Sequence, residues 1–313
     1  MVWTKLSIVF LAFIVFTTTS CETETLPGMN SANSGTMEGW LIPVNKVLSG
    51  GPGKDGIPAL SSPDKIGLNQ SGNDYLRDDD LVLGFKSGED IIAYPHPILD
   101  WHEIINDVAG TTSIAVTYCP LTGTGIAWNR IIDNQITTFG VSGLLYNTNL
   151  IPYDRLTGSN WTQIGLLCVN GELRNRKPDV LPMIEMPWGT WKQLFPESLV
   201  VSSSTDYNRS YGHYPYGDYK TSTRLLFPAP EDNRLNIKER VLAIIKNDKA
   251  KVYRFDSFSE KQVVIHDVFR GENLAIIGKR GDYMIAFGSR MEDGEILNLK
   301  ASEIGRASCR ERV

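Results

Sequence analysis

The amino-acid sequence predicts a mainly β fold, and three patterns support this prediction. Short runs in which apolar and polar residues alternate recur along the chain: "DLVLGFK", "DIIAYP", "TSIAVTY", "GIAWNRII" and "QITTFGV". Clusters rich in Gly, Asp and Asn, such as "KSGED" and "IIDNQ", separate these runs and are typical of turns. Helical segments are few. We therefore expect a duplicated unit of short antiparallel strands and hairpins, in a barrel or sandwich-like arrangement, with a few short helices.

Two segments fit short helices. "LDWHEIIND" is compatible with a helical turn or two, and "TWKQLF" fits a short helix that ends before Pro196. Proline cannot continue a helix, and it disfavours helical geometry in the residue that precedes it.

The N-terminus resembles an export signal. Lys5 precedes an apolar run from Leu6 to Phe16, which is too short to span a bilayer comfortably. Small residues then lead to Cys21, as in bacterial lipoprotein signals, where the cysteine thiol is acylated. We expect residues 1–21 to be such a signal with a lipidated Cys21; the alternative is an ordinary cleaved signal with an incidental cysteine.

Acylation at Cys21 predicts a location and a partner. Two or three acyl chains anchor a protein stably to a membrane surface. We therefore expect the chain to lie in the cell envelope, lipid-anchored to a bacterial membrane and facing its extracytoplasmic side, with the choice of inner or outer membrane open. Residues 22–38 are rich in Thr, Ser, Asn and Gly and predict a flexible tether.

The C-terminal segment 303–313, "EIGRASCRERV", resembles a sequencing adapter translated in frame and lacks apolar periodicity. We expect it to be non-native and the natural chain to continue beyond Ser302.

The whole chain has a formal net charge of −5, and the charge becomes about −7 without Lys5 and this tail. A negative balance argues against a nucleic-acid partner. We expect no cofactor, and the ligand or protein partner stays open.

An internal repeat organises the rest of the chain. "DLVLGFKSGEDIIAYP" aligns with "ERVLAIIKNDKAKVYR", and "EIINDVAGTTSIAVTY" with "VVIHDVFRGENLAIIG", at nearly the same offset. Tyr94 thereby meets Tyr253, and Asp107 meets Asp267. We predict a first copy over 39–205, a linker rich in Tyr, Gly and Pro over 206–237, and a truncated second copy over 238–302.

The chemically capable residues differ between the two copies, so we expect function in the first. Cys119 ends an alternating run and precedes a proline, and His102 lies in the preceding motif. An imidazole that lowers a thiol pKa creates a nucleophile, and Glu103 or Asp107 is placed to orient the imidazole. These four residues are the candidate catalytic set.

Three other interpretations of Cys119 stay open. Thiolate and imidazole are good ligands for copper or zinc, so Cys119, His102 and His96 are a candidate metal site. Cys119 is also compatible with an inert core position or with a disulfide to Cys168.

The segment from Tyr207 to Tyr219, "YNRSYGHYPYGDY", either stacks on a flat ligand such as a sugar or packs as an ordered linker between the copies.

Several motifs in order resemble one family. They are "DGIPAL", "DDDLVLG", "AYPHPILDWHEIIND", "VTYCPLTGTGIAW", "FGVSGLLYNTNLIPYDRLTGSNWTQ", "TWKQLFPESLVVS" and "YGHYPYGDY". Together they resemble the bacterial domain-of-unknown-function family 3179 (DUF3179) from roughly Gly39 to Lys300. The resemblance implies bacterial and archaeal proteins, many with export signals, and no established activity. Many members have Cys-Pro-Leu-Cys where this chain has Thr122 as the fourth residue, which argues against a dithiol mechanism here.

Two functions of different class follow from these patterns. One is an extracytoplasmic thiol-dependent hydrolase or transferase that uses Cys119 with His102. The other is a non-catalytic, membrane-tethered binding or assembly module with a groove between the copies. The sequence does not choose between them.

Overall fold

The computed structural model describes residues 39–291 and 293–300, and it confirms the mainly β prediction. The predictions for the signal segment 1–21 with Cys21, for the tether 22–38 and for the tail 303–313 lie outside the described residues. Among the described residues, no helix is long and apolar enough to cross a bilayer.

The strands are short and follow one another in chain order: β1 (Val47–Ser49), β2 (Leu60–Ser61), β3 (Lys65–Gly67), β4 (Leu81–Ser87), β5 (Asp90–Pro95), β6 (Ile104–Ala109), β7 (Thr112–Cys119), β8 (Thr124–Asn129), β9 (Ile131–Ile132), β10 (Gln135–Ile136), β11 (Phe139–Tyr146), β12 (Asn149–Asp154), β13 (Asn160–Thr162), β14 (Leu167–Asn170), β15 (Val180–Leu181), β16 (Ile184–Pro187), β17 (Leu199–Val201), β18 (Val241–Lys246), β19 (Lys249–Arg254), β20 (Val263–Phe269), β21 (Glu272–Lys279) and β22 (Tyr283–Gly288). The helices are α1 (His96–His102) and α2 (Trp188–Leu194), with 3₁₀ turns at Val44–Lys46 and Phe255–Ser257.

Both helices follow a proline that lies in an extended conformation. The helix α2 matches the expectation for "TWKQLF", since it ends at Leu194, just before Pro196. The first expectation is only partly met, because α1 ends at His102 and the following "IIND" belongs to β6. Glu103 has a φ of 56°, which ends the helix, and Ile104 and Ile105 then alternate between two different apolar clusters.

Four of the sheets build the layers. Sheet 1 has the strand order β1-β11-β12-β13-β14, and sheet 2 has β15-β8-β7-β6-β2. Sheet 3 has β16-β4-β5-β17-β3, and sheet 4 has β20-β21-β22. The hairpins β9-β10 and β18-β19 complete the pairing. Most pairs are antiparallel; β2 with β6 and β5 with β17 are parallel. All of these sheets are open, so the arrangement follows the sandwich-like alternative.

The sheets stack through apolar side chains that alternate between faces. On β7, Val116 faces the cluster between sheets 2 and 3, whereas Ala115 faces the cluster between sheets 1 and 2. The opposite face of sheet 3 packs on α2 and on Ile277 and Tyr283 of sheet 4. The hairpin β18-β19 covers the other face of sheet 4. Period-two alternation in the sequence therefore becomes a stack of layers, because central strands such as β6 and β7 bury side chains on both faces.

The two regions that the sequence aligns share an order of elements. In both, a hairpin is followed by a helical segment and then by three antiparallel strands: β4-β5, α1 and β6-β7-β8 in the first, and β18-β19, the 3₁₀ turn Phe255–Ser257 and β20-β21-β22 in the second. The linker 206–237 contains no helix or strand. The domain boundaries themselves stay predictions.

Candidate functional site

Three of the four predicted catalytic residues, His102, Glu103 and Cys119, lie at one end of sheet 2. Helix α1 brings His96, Asp100 and His102 there, and β7 brings Cys119 at its last position. The chain from Tyr207 to Tyr219, here called the tyrosine segment, packs over this end through bonds such as Tyr219 Oη to the Leu121 carbonyl, at 3.0 Å.

Cys119 is a buried thiol. The whole residue is 1% exposed to solvent, and its Sγ lies 3.7 Å from the Thr148 carbonyl oxygen. Burial, reinforced by the negative charge of Glu103, raises the pKa of the Cys119 thiol. The neutral form is therefore favoured. Cys168 is also free and buried, with its pKa raised by burial to about 11, so the two cysteines form no disulfide.

His102 is committed to other partners. Its Nδ1 lies 2.7 Å from the Pro58 carbonyl oxygen, and its Nε2 lies 2.8 Å from the Tyr211 hydroxyl. Burial lowers the pKa of His102, so the neutral imidazole is favoured. The described bonds of His102 thus use both ring nitrogens and leave neither for Cys119.

Asp107 lies on the other face of sheet 2. It accepts hydrogen bonds from Lys65 Nζ at 2.6 Å and from the Tyr94 hydroxyl at 2.9 Å, between sheets 2 and 3. Asp107 pairs with Ile114 on β7, and Cys119 lies five positions further along that strand, so its side chain faces sheet 1 instead. The alternation of a strand therefore separates Asp107 from the thiol, and its bonds hold the sheets together.

Glu103 is the predicted residue whose charge acts on Cys119, and the carbonyl of Glu103 accepts a hydrogen bond from the amide of Tyr118, the residue before Cys119, at 2.7 Å. It is 8% exposed, and burial raises the pKa of its carboxyl to about 7. The Tyr216 hydroxyl lies 3.5 Å from Glu103 Oε1. Of the four candidates, the structure thus places Glu103 and Cys119 together and gives His102 and Asp107 separate surroundings.

Sequence reasoning missed Asp100 and Lys220. Asp100 is 4% exposed, and its Oδ2 accepts a hydrogen bond from Lys220 Nζ at 2.9 Å. Its Oδ1 is buried without a hydrogen-bond partner among the described residues, and so is the hydroxyl of Tyr214. Burial outweighs the charge of Lys220 and raises the pKa of Asp100. A usable signal was present: Asp100 and Glu103 are three residues apart at a helix end, and Lys220 directly follows the tyrosine segment.

The three donors of the candidate metal site have different partners. His96 Nε2 lies 3.2 Å from Glu185 Oε2 and its ring packs at a tilt against Tyr118, whereas His102 binds Pro58 and Tyr211. Within 39–291 and 293–300, no group of three or more His, Cys, Asp and Glu side chains is arranged to hold a metal ion.

A cleft of about 690 Å³ opens beside this region. Its walls are the stretches 220–223 and 236–240, from the linker and its end, and Phe255, Asp256 and Gly281 of the second aligned region. Lys220 belongs to both places, because it lines the cleft and reaches Asp100.

Comparison with known proteins identifies a family. No curated protein and no solved structure matches the chain. Residues 54–309, most of the chain, match the family described as "Protein of unknown function (DUF3179)". The resemblance seen in the sequence motifs is therefore confirmed, and the chain belongs to the DUF3179 family.

Proposed function

We propose that the chain is an exported protein, lipid-anchored at Cys21 in the cell envelope, that acts as a binding module rather than as a thiol enzyme. The observation that carries the proposal is the state of Cys119. A nucleophilic thiol is partly exposed and has a lowered pKa. Cys119 is 1% exposed, its pKa is raised, and both nitrogens of His102 are bonded elsewhere.

The cleft supports the binding half of the proposal. It lies between the linker and the second aligned region rather than between the two copies, and it combines the charged Lys220, Arg240 and Glu239 with the aromatic Phe255. Concave sites that join apolar surface to a few fixed polar groups are typical of ligand binding. We also propose that the two aligned regions are copies of one unit.

Thiol reactivity tests this function. The full chain is alkylated with iodoacetamide over a range of pH, folded and in urea, and each cysteine is followed in its own peptide by mass spectrometry. We expect Cys119 to label only on unfolding, in step with Cys168, the matched buried control.

One result would contradict the proposal. Rapid labelling of Cys119 in the folded protein, with an apparent pKa well below the ordinary value of about 8.5, would identify an activated thiol. Loss of this reactivity in His102→Ala, but not in Tyr211→Phe, would then assign the activation to the imidazole and favour the hydrolase or transferase.

A further inference from the structure

We propose that Asp100, Glu103 and Tyr214 form a binding site for a compact organic ammonium ion, reached from the cleft once Lys220 moves aside. This inference rests on the proposed binding function and names the class of ligand.

Lys220 shows what the site accepts. Its ammonium nitrogen lies 2.9 Å from Asp100 Oδ2 and 4.1 Å from the centre of the Tyr214 ring. A carboxylate on one side and an aromatic face on another are the two features with which proteins recognise ammonium ions. The chain thus places its own ammonium group in surroundings that suit a ligand of the same chemistry.

The site holds more acceptors than Lys220 uses. Asp100 Oδ1 and the Tyr214 hydroxyl are buried without partners among the described residues. Glu103 is 8% exposed, it pairs with no cation among the described residues, and the Tyr216 hydroxyl lies as far as 3.5 Å from its Oε1. Buried acceptors without donors are costly. An alkylammonium ion has three N–H donors and a positive charge. It could therefore donate hydrogen bonds to the acceptors that Lys220 leaves without a partner.

The charge of the site selects against other ligands. Lys220 pairs with the buried Asp100, and Glu103 adds a second buried carboxyl group beside Tyr216, so an anion would be repelled. A metal ion would need more donors in one place, and the described residues offer no such cluster. The tyrosine rings, with Tyr214 and Tyr216 5.5 Å apart between centroids, add apolar surface for the carbon atoms of an organic cation.

Access runs through Lys220. Its side chain is 48% exposed and lines the cleft, whereas the Asp100 side chain behind it is 3% exposed. In this proposal, rotation of Lys220 into the cleft frees the carboxylate of Asp100 for the ligand. The lysine therefore competes with a ligand for the same carboxylate.

Competition by Lys220 gives a direct test. Lys220→Met keeps the length of the side chain and removes the ammonium group. Binding of ethylammonium chloride to the full chain is measured by ligand-observed NMR at constant ionic strength, with ethanol as the neutral probe. We expect Lys220→Met to bind ethylammonium at least about tenfold more tightly than the wild type, and ethanol not to bind.

A matched lysine serves as the control. Lys192 also pairs with an aspartate, at 2.7 Å from Asp78 Oδ1, and lies 5.7 Å from the Trp188 ring centre, but that aspartate is exposed. Lys192→Met should bind as the wild type does. Addition of Asp100→Asn to Lys220→Met should abolish the gain, and addition of Tyr214→Leu should weaken it even if the first double variant does not fold.

Two outcomes overturn the inference. Equal affinities of the wild type and Lys220→Met would leave the Lys220–Asp100 pair as a structural contact only. A gain that survives both Asp100→Asn and Tyr214→Leu would place the amine elsewhere. Alkylation of Cys119 in the same samples separates the two proposals, because a reactive thiol overturns the binding-module function whether or not the amine binds.

Discussion

The hydroxyl of Tyr94 donates a hydrogen bond to Asp107 Oδ2 at 2.9 Å, from hairpin β4-β5 to strand β6. The second aligned region contains the same contact, since the hydroxyl of Tyr253 on β19 donates to Asp267 Oδ2 on β20 at 2.7 Å. These are the residues that the sequence alignment pairs. A shared long-range contact between matched positions supports the proposed duplication more strongly than shared apolar patterning, which any sheet requires.

The two tyrosine contacts should differ in strength. Tyr94 is fully buried and Asp107 is 1% exposed, whereas the Asp267 side chain is 23% exposed. A buried hydrogen bond to a charged group is worth about 1.5 to 3 kcal/mol, and solvent replaces part of a partly exposed one. We expect Tyr94→Phe to lower the free energy of unfolding by about 2 kcal/mol and Tyr253→Phe by less than half of that, as measured by urea denaturation. Equal losses would contradict this ranking.

Asn106 joins sheet 2 to sheet 1. Its Nδ2 donates to the Phe139 carbonyl at 2.9 Å and to the Leu60 carbonyl at 3.3 Å, and its Oδ1 accepts from the Phe139 amide at 2.7 Å. Removal of this amide leaves buried backbone groups unpaired. We expect Asn106→Ala to lower the free energy of unfolding by about 2 to 4 kcal/mol. Asn129→Ala, at a half-buried position, is the comparison. A similar loss there would show that the effect is not specific to the hydrogen bonds of Asn106 between the two sheets.

The β architecture could be predicted because its signals are local. Alternation and turn residues marked β4, β5, β7 and β8, and Pro196 marked the end of α2. The end of α1 was harder, since Glu103 leaves the helix with a positive φ that few glutamates adopt. The residues next to Glu103 are compatible with a helix, so the sequence did not predict that the helix ends there.

The site was only partly predictable because its contacts depend on tertiary structure. Cys119 and Glu103 were found from residue type and position. The pairing of Cys119 with His102 assumed that neighbouring segments bring side chains together, yet His102 Nε2 reaches Tyr211, which is distant in sequence. Lys220 meets Asp100 only through the packing of the tyrosine segment, and no periodicity encodes that contact.

Gly84 allows α2 to pack on sheet 3. A Cβ added there would lie 1.9 Å from a ring carbon of Trp191, which is 1% exposed. The indole cannot retreat in a packed core, so we expect Gly84→Ala to cost about 2 to 3 kcal/mol in the free energy of unfolding. Gly288→Ala, where no atom lies within 4 Å, is the matched strand control. Chemical denaturation of both variants checks this, and a neutral Gly84→Ala would mean that the helix packs differently.

Glu103 should make stability depend on pH. Burial raises the pKa of its carboxyl from an ordinary 4.5 to about 7, so the folded protein retains this proton where the unfolded chain has lost it. The free energy of unfolding therefore falls as pH rises from 4.5 to about 7, because the buried carboxyl resists ionisation, and this loss stays constant above about pH 7. Glu103→Gln has the same shape and no proton to lose.

The difference in unfolding free energy between Glu103→Gln and the wild type isolates this cost. We expect the variant to gain, relative to the wild type, about 3 kcal/mol between pH 4.5 and pH 8. The neighbouring Cys119 and Tyr216 have pKa values raised by burial and titrate above this range. Glu172→Gln, at an exposed glutamate, is the matched control variant. If the Glu103→Gln curve runs parallel to that of the wild type, the carboxyl ionises as readily in the folded chain as in the unfolded one. Glu103 could then not be the buried acceptor that the ammonium site requires.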